Sequence, residues 1–184
     1  MFKNENLISV EEVITSFLIT EKAKSIDMSK KTNSQFIEIF TKIKQEIESL
    51  PIENKYALMP TKDRLNFYLK HNWVLKEVPL KYIGPWGSTG DIPVEWCSLS
   101  VIDVASRIKN NKEYTSKSIQ EIINMTQDID LILKQYPPIL VQGGEIRAAS
   151  DTQFLSLDSE DGSHRCIAAA LKGLSTVRSF VGFP

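Results

Sequence analysis

Apolar residues recur at helical spacing in three stretches of the first half of the chain. Behind Ser9-Val10-Glu11-Glu12, a Ser-x-x-Glu capping box, the positions Val10, Val13, Ile14, Phe17 and Leu18 share one helical face. Phe36, Ile39, Phe40, Ile43, Ile47 and Leu50 form a second periodic run, which Pro51 stops. A third begins near Thr61 and carries Leu65, Tyr68 and Leu69. Lys and Glu fill the opposite faces, as on packed surface helices. All eight glycines fall at or after Gly84, so no glycine falls in residues 1–83, which read as helical.

The pattern changes over residues 76–93, where Pro79, Gly84, Pro85, Gly87, Gly90 and Pro93 crowd together. Such a stretch reads as a loop and a domain boundary, with Trp86 pinning it as an ordered connection. Beyond it, elements alternate. Val94 to Leu99 reads as a strand, Ser118-Ile119-Gln120-Glu121 as a capping box before a helix, and Ile139-Leu140-Val141 as a short apolar strand after Pro137-Pro138. Gln142-Gly143-Gly144-Glu145 reads as a turn, Phe154 to Leu157 as a strand, and Asp158 to Gly162 as a polar turn. Ser163 to Lys172 has high helix propensity and ends at Gly173, and Thr176 to Val181 closes the chain as a strand. The fold class expected is α+β: a helical region over 1–75, an ordered connection over 76–93, and a small mixed sheet with helices over 94–184.

Composition narrows the function classes. The 184 residues are 42% hydrophobic and 24% charged, within the range of a globular chain able to bury a core. A net charge of -1 gives no bulk attraction to nucleic acid or anionic lipid. No apolar run approaches the roughly 20 residues that span a bilayer, and the amino terminus lacks the pattern of a secretion signal. Membrane insertion is not expected, and a cytoplasmic location with reduced thiols is. Cys97 and Cys166 stand far apart, and with only two histidines a structural zinc site is not expected either.

The chemistry concentrates in Asp161-Gly162-Ser163-His164-Arg165, between a strand and a helix. Glycine permits a sharp turn and close ligand approach. The helix start offers backbone N–H groups and the positive end of the macrodipole, the natural seat of a phosphate. Ser163 can donate a hydroxyl hydrogen bond, His164 a ring N–H and Arg165 a planar fork. The residues alone leave a second reading open, in which Ser163 caps the helix while His164 and Arg165 lie in solvent. Asp158, Glu160 and Asp161 could hold a divalent cation or orient water, Asp161 first, or be a solvated turn. Glu145 and Arg147 sit near the Gly-Gly turn and could face the same cleft, or be ordinary charged loop residues. The aromatic Trp73, Trp86 and Trp96 could stack on bases but suit a core better. His71, after a short helix, suits bonding to its last carbonyls.

The order helix, Pro-Pro-Ile-Leu-Val, Gly-Gly turn, strand, Asp-Gly-Ser-His-Arg, Ala-rich helix, Gly, strand resembles the ParB/sulfiredoxin superfamily over about residues 92–184. In sulfiredoxins the corresponding turn reads Gly-Gly-Cys-His-Arg, and its His and Arg hold the phosphates of ATP; His164 and Arg165 match them. Lys117 matches a helix lysine that contacts the nucleotide, with Gln120 and Asn124 along the same face. The resemblance implies a nucleotide site of Gly162, Ser163, His164, Arg165, Lys117 and Gln120. It further implies ATP as substrate with a divalent cation, Mg²⁺, and catalysis by His164, Arg165, Asp161 and Glu160. Ser163 stands where sulfiredoxin has its catalytic cysteine, which excludes sulfinic acid repair, and the Gly-Glu-Arg-Arg pattern of the partition proteins is missing. With its helical first half the chain most resembles the plasmid oncogenic suppression and fertility-inhibition proteins. That resemblance implies an ATPase and DNase, a hydrolase that blocks conjugative DNA transfer through type IV secretion, with transient DNA contact and secretion components as partners. Two alternatives stand beside it: a nucleotide-dependent small-molecule kinase, and a non-catalytic inhibitor that binds a secretion component.

Overall fold

The computed structural model describes residues 7–24, 33–85, 90–96, 99–111, 113, 115–148 and 154–184, with the side chains of 33, 34, 36, 143–148 and 154–156 outside the description. The protein is α+β, with eight α-helices and six strands among these residues. It divides into two compact units, Met1–Val74 with Pro184, and Leu75–Phe183.

In the first unit, β1 (Leu7–Ile8) pairs antiparallel with the start of β2 (Asn72–Pro79), Ile8 opposite Trp73. Ser9 caps the helix, since the Glu12 N–H donates to Ser9 Oγ at 3.2 Å, and α1 (Val10–Lys24) follows. Its face of Val13, Ile14, Phe17 and Leu18 is buried, as is Ile19 beyond it. α2 (Asn33–Glu48) buries Phe40, Ile43 and Ile47. A short helix absent from the sequence reading, α3 (Ile52–Ala57), begins directly after Pro51, so this proline starts one helix as well as ending another. From α3, Lys55 is buried and its ammonium lies 2.9 Å from Glu11 on α1. α4 (Lys62–Lys70) is capped by Thr61, whose hydroxyl accepts from the Arg64 N–H. Tyr68 stacks on Trp73 at 5.4 Å and lies 5.5 Å from Phe17, while the Trp73 indole donates to the Tyr68 carbonyl. Trp73 is thus core. His71 Nδ1 lies 2.7 Å from the Phe67 carbonyl, the helix-end role its position suggests.

In the second unit the strand order is β2-β6-β4-β5-β3. β3 (Ile83–Pro85) runs parallel to β5 (Phe154–Asp161), β5 antiparallel to β4 (Ile139–Ala148), and β4 parallel to β6 (Thr176–Phe183). Around the sheet are α5 (Val101–Asn110), α6 (Lys117–Met125), α7 (Ile129–Gln135) and α8 (Ser163–Lys172), with α8 packed on the other three. Ile139 and Leu140 of β4, Val104, Ile122, Ile129 and the Ile167-Ala168-Ala169 run of α8 are all fully buried. The small Ala side chains let α8 sit close to its neighbours, and Gly173 ends it.

Several expectations need correction. Residues 76–93 are not one loop: they hold the second half of β2, a 3₁₀ turn at Leu80–Tyr82 and β3. Pro79 and Pro85 are tolerated because they fall at strand ends, Pro79 closing β2 and Pro85 closing β3. Val94–Trp96 is a 3₁₀ turn instead of a strand, with the Trp96 N–H bonded to the Pro93 carbonyl and Val94 73% exposed. Trp96 is nevertheless buried, while Trp86 and Cys97 lie outside the described residues. α6 begins at Lys117 with Ser116 as its cap, so Ser118 sits inside the helix. Gln142 to Glu145 belong to β4, where the register jumps from Gln142 opposite Leu157 to Arg147 opposite Leu155. Gly143 and Gly144 therefore accommodate an irregular, bulged strand instead of a turn. Asp158 to Asp161 extend β5 and are not a solvated turn, with Asp158, Ser159 and Asp161 buried. Among the described residues, no helix is long and apolar enough to cross a membrane.

Candidate functional site

The Asp161–Arg165 turn lies entirely in the second unit, where β5 hands over to α8. Gly162 is the N-cap residue, with φ of 103°, and offers no side chain to cap the helix. Only glycine adopts that conformation without strain. A Cβ there would also meet the Arg165 guanidinium, 2.9 Å from Nη2 and 3.1 Å from Cζ.

That proximity shows what Arg165 does. Its side chain is buried, turned back under the turn, with Nη2 donating to the Asp161 carboxylate. Nη1 donates to the Tyr136 carbonyl at 2.5 Å and more weakly to that of Pro137 at 3.4 Å. Expected as a fork for phosphate and a carboxylate for metal or water, Arg165 and Asp161 are found bonded to each other. They tie the end of β5 to the chain entering β4.

Ser163 and His164 are half-buried, on the outer part of the first turn. Ser163 Oγ lies 2.5 Å from Ser159 Oγ, and the Ser159 hydroxyl reaches the Gly84 carbonyl at 3.3 Å. A carbonyl only accepts, so the proton chain runs from Ser163 to Ser159 to Gly84. The ring of His164 sits between two other segments. Its Nδ1 lies 3.8 Å from Glu121 Oε2 on α6, and its Nε2 lies 3.8 Å from where a Cβ of Gly90 would be.

Gly90 and Asp91 complete this corner. Gly90 has φ of 62°, and a Cβ on it would fall 2.2 Å from Ser118 Oγ. The Asp91 carboxylate accepts from the backbone N–H groups of Lys117 and Ser118, at 2.9 and 2.8 Å, and its own N–H donates to Ser118 Oγ. Hydrogen bonds from Ser118, side chain first and backbone second, hold the Asp91 carboxyl well below the usual carboxylate range. A negative charge thus already occupies the start of α6, where the dipole favours it.

Lys117 is on the surface, its ammonium 3.8 Å from Glu121 Oε1. One turn along, Gln120 donates to Asn124 at 3.0 Å, and both are exposed. The structure therefore brings together His164, Ser118, Glu121 and the Gly90–Asp91 segment, while the Ser163 hydroxyl is bonded to Ser159. It turns Asp161 and Arg165 inward. Glu160 is half-buried at the end of β5, and the side chains of Glu145 and Arg147 lie outside the described residues. Sequence reading missed Gly90, Asp91, Glu121 and Ser159. Glu121 carried a signal, four residues after Lys117 on a helix face. Gly90 and Asp91 carried none beyond turn propensity, since their part depends on a chain segment folding back against α6.

Cys166 is fully buried in α8, and burial pushes its thiol up to about 12. It packs as a small hydrophobe. Among the described residues no three His, Cys, Asp or Glu side chains converge as a metal-binding group. No protein-family model, curated protein or solved structure matches this chain.

Proposed function

We propose that this chain binds ATP through its phosphates at the start of α8 and hydrolyses it. The observation that supports this most is the uncapped, glycine-started helix α8, whose first turn carries Ser163 and His164 at its outer side. Backbone N–H groups and the helix dipole there suit an anionic phosphoryl group and stabilise charge as it develops. Asp161 is engaged by Arg165, so in this reading the nucleotide enters as its Mg²⁺ complex, the metal being part of the substrate. Lys117, at the start of α6, is the cation nearest in sequence to Ser118 and on the same helix as Glu121. DNA degradation and interference with type IV transfer belong to the same proposal and rest on the resemblance of the turn and of the element order. One phosphate site serving ATP and DNA alike is the simplest form of it, because both present a phosphoryl centre to be attacked in line by water.

Calorimetry with Mg-ATP and phosphate release test the reading in the wild-type chain and in His164→Ala. Binding by the wild type, with hydrolysis and DNA cleavage both depressed in the variant, is the expected result. Absence of ATP binding in the wild type, or unchanged hydrolysis in His164→Ala, overturns it.

A further inference from the structure

We propose that a groove between the Val94–Trp96 turn and the last turn of α5 binds a peptide segment carrying one acidic side chain, whose carboxylate Arg107 receives. The groove holds about 490 Å³, within the roughly 300–1,000 Å³ of ligand sites. The turn contributes Glu95 and Trp96 with Pro93 before them, and α5 contributes Arg107, Asn110 and the following Asn111. All of these belong to the second unit. Arg107, Asn110 and Asn111 stand three and four residues apart, so one face of α5 presents them together, and all three are exposed.

The indole of Trp96 holds Arg107 in place. Arg107 Cζ lies 5.8 Å from the ring centroid, within cation–π range, and Trp96 itself is buried. The guanidinium makes no hydrogen bond or ion pair with any described residue. A planar cation resting on an aromatic face keeps its N–H edge available, and that edge matches a carboxylate through two parallel hydrogen bonds. The remaining groups decide between ligand classes. A nucleic acid brings a row of phosphates, which only accept hydrogen bonds and are repelled by Glu95 in the same groove. A peptide brings backbone N–H and C=O groups in alternation. Each asparagine amide carries both donors and an acceptor and so matches both. Asn110 gives one N–H to Ser106 Oγ at 3.4 Å, which leaves its carbonyl oxygen and second N–H for a ligand. With one guanidinium and one carboxylate in its lining, the groove takes a single negative group at Arg107 and disfavours a second beside Glu95.

A phage-displayed random heptapeptide library, selected on the intact protein with Arg107→Ala as counter-selection, tests this. Enriched peptides are expected to share one Asp or Glu. A synthetic peptide of the enriched sequence should shift the Arg107 side-chain Nε–H signal and the Asn110 and Asn111 amide signals in ¹⁵N NMR. Its affinity should fall at least about tenfold in Arg107→Ala, the scale of a charge-assisted hydrogen bond, and similarly when its acidic residue is made an amide. Arg107→Lys should recover part of the loss, and Asn111→Ala should weaken binding less. The replaced side chains are exposed, so folding is kept, and an unchanged urea midpoint checks it. No enrichment over the counter-selection, enriched sequences without an acidic residue, or shifts away from α5 overturn the inference. A stronger Arg107-dependent response to an oligothymidylate overturns it too, and makes the groove a nucleic-acid site. None of these outcomes depends on whether the chain hydrolyses ATP.

Discussion

Replacing Arg165 by Ala separates two roles that the residue could have at the turn. In the structure its guanidinium is spent inside the protein, on Asp161 and on the carbonyls of Tyr136 and Pro137, with the residue 6% exposed. Its removal leaves the Asp161 carboxylate buried, 5% exposed, without its guanidinium. Breaking a buried pair from one side costs about 3–5 kcal/mol, much of it the desolvation of the charge left behind. The lost hydrogen bonds to the carbonyls, about 1.5–3 kcal/mol for a charged donor, overlap with that figure and are not added to it. The expected loss is therefore about 3–5 kcal/mol, a large part of the roughly 5–15 kcal/mol that holds a domain folded. Equilibrium urea unfolding measures it from the midpoint and slope. Arg165→Lys should recover little, since one ammonium cannot reach a carboxylate and two carbonyls in the fixed geometry of a fork. The double change Arg165→Ala with Asp161→Ala should cost much less than the two single changes summed, the signature of direct coupling. A loss below about 1 kcal/mol for Arg165→Ala, the range of an exposed pair, would refute the bracing role. If ATP affinity fell instead by about 1.5–3 kcal/mol at unchanged stability, the guanidinium would be a ligand group after all.

The remaining expectations concern charge and thiol chemistry. The Asp91 carboxyl titrates below its ordinary value in the folded chain, so its stabilisation is fully present above the unfolded pKa of about 3.9 and fades as pH falls toward the folded one. The stability gap between wild type and Asp91→Ala in urea should therefore be constant near neutrality and shrink below about pH 4; a gap unchanged at pH 3 would contradict the capping role. Cys166, with its thiol at about 12 and no exposure, should resist a thiol reagent in a Cys97→Ser background until denaturant is added, and Cys166→Ser should keep its turnover per folded molecule. Rapid native labelling would contradict the first statement, and hydrolysis lost with folding intact the second.

Much of the architecture was legible from periodicity and punctuation. α1 and α4 carry side-chain caps in the sequence, at Ser9 and Thr61, while α8 starts uncapped at Gly162 and ends at Gly173 where expected. α5 was equally readable and was missed: Val101, Val104, Ala105 and Ile108 follow the helical period, and Ser100 bonds the Asp103 N–H as its cap. Other departures depended on tertiary context. Asp158 to Asp161 use turn-forming residues, yet β4 pairs with them along one side and β3 with Asp158 and Ser159 on the other, which draws them into the sheet. The Gly-Gly pair invites a turn, but a register shift in the ladder absorbs it. Residues 72–85 contain prolines that weigh against strand, and local sequence does not disclose that both fall at strand ends.

The same limit explains how the candidate site differs from its sequence reading. Ser163, His164 and Arg165 are three adjacent polar residues that look like three ligand groups, but consecutive residues on a helix point about 100° apart. A helix start beside a packed sheet can offer one part of its first turn outward and must turn the rest in. Ser163 and His164 take the outer positions, while Arg165 falls on the face that also carries Cys166 and Ala169. An arginine there is stable only with a partner, and Asp161, at i−4 and itself buried, meets that need. The turn thus combines a brace, Asp161 with Arg165, and an outer side that carries His164, with the Ser163 hydroxyl donated to Ser159. Glycine at 162 serves both parts: its backbone starts the helix, and its missing Cβ leaves room for the guanidinium underneath. The groups that complete the outward face come from α6 and the Gly90–Asp91 segment, distant in sequence, so only the fold assembles them.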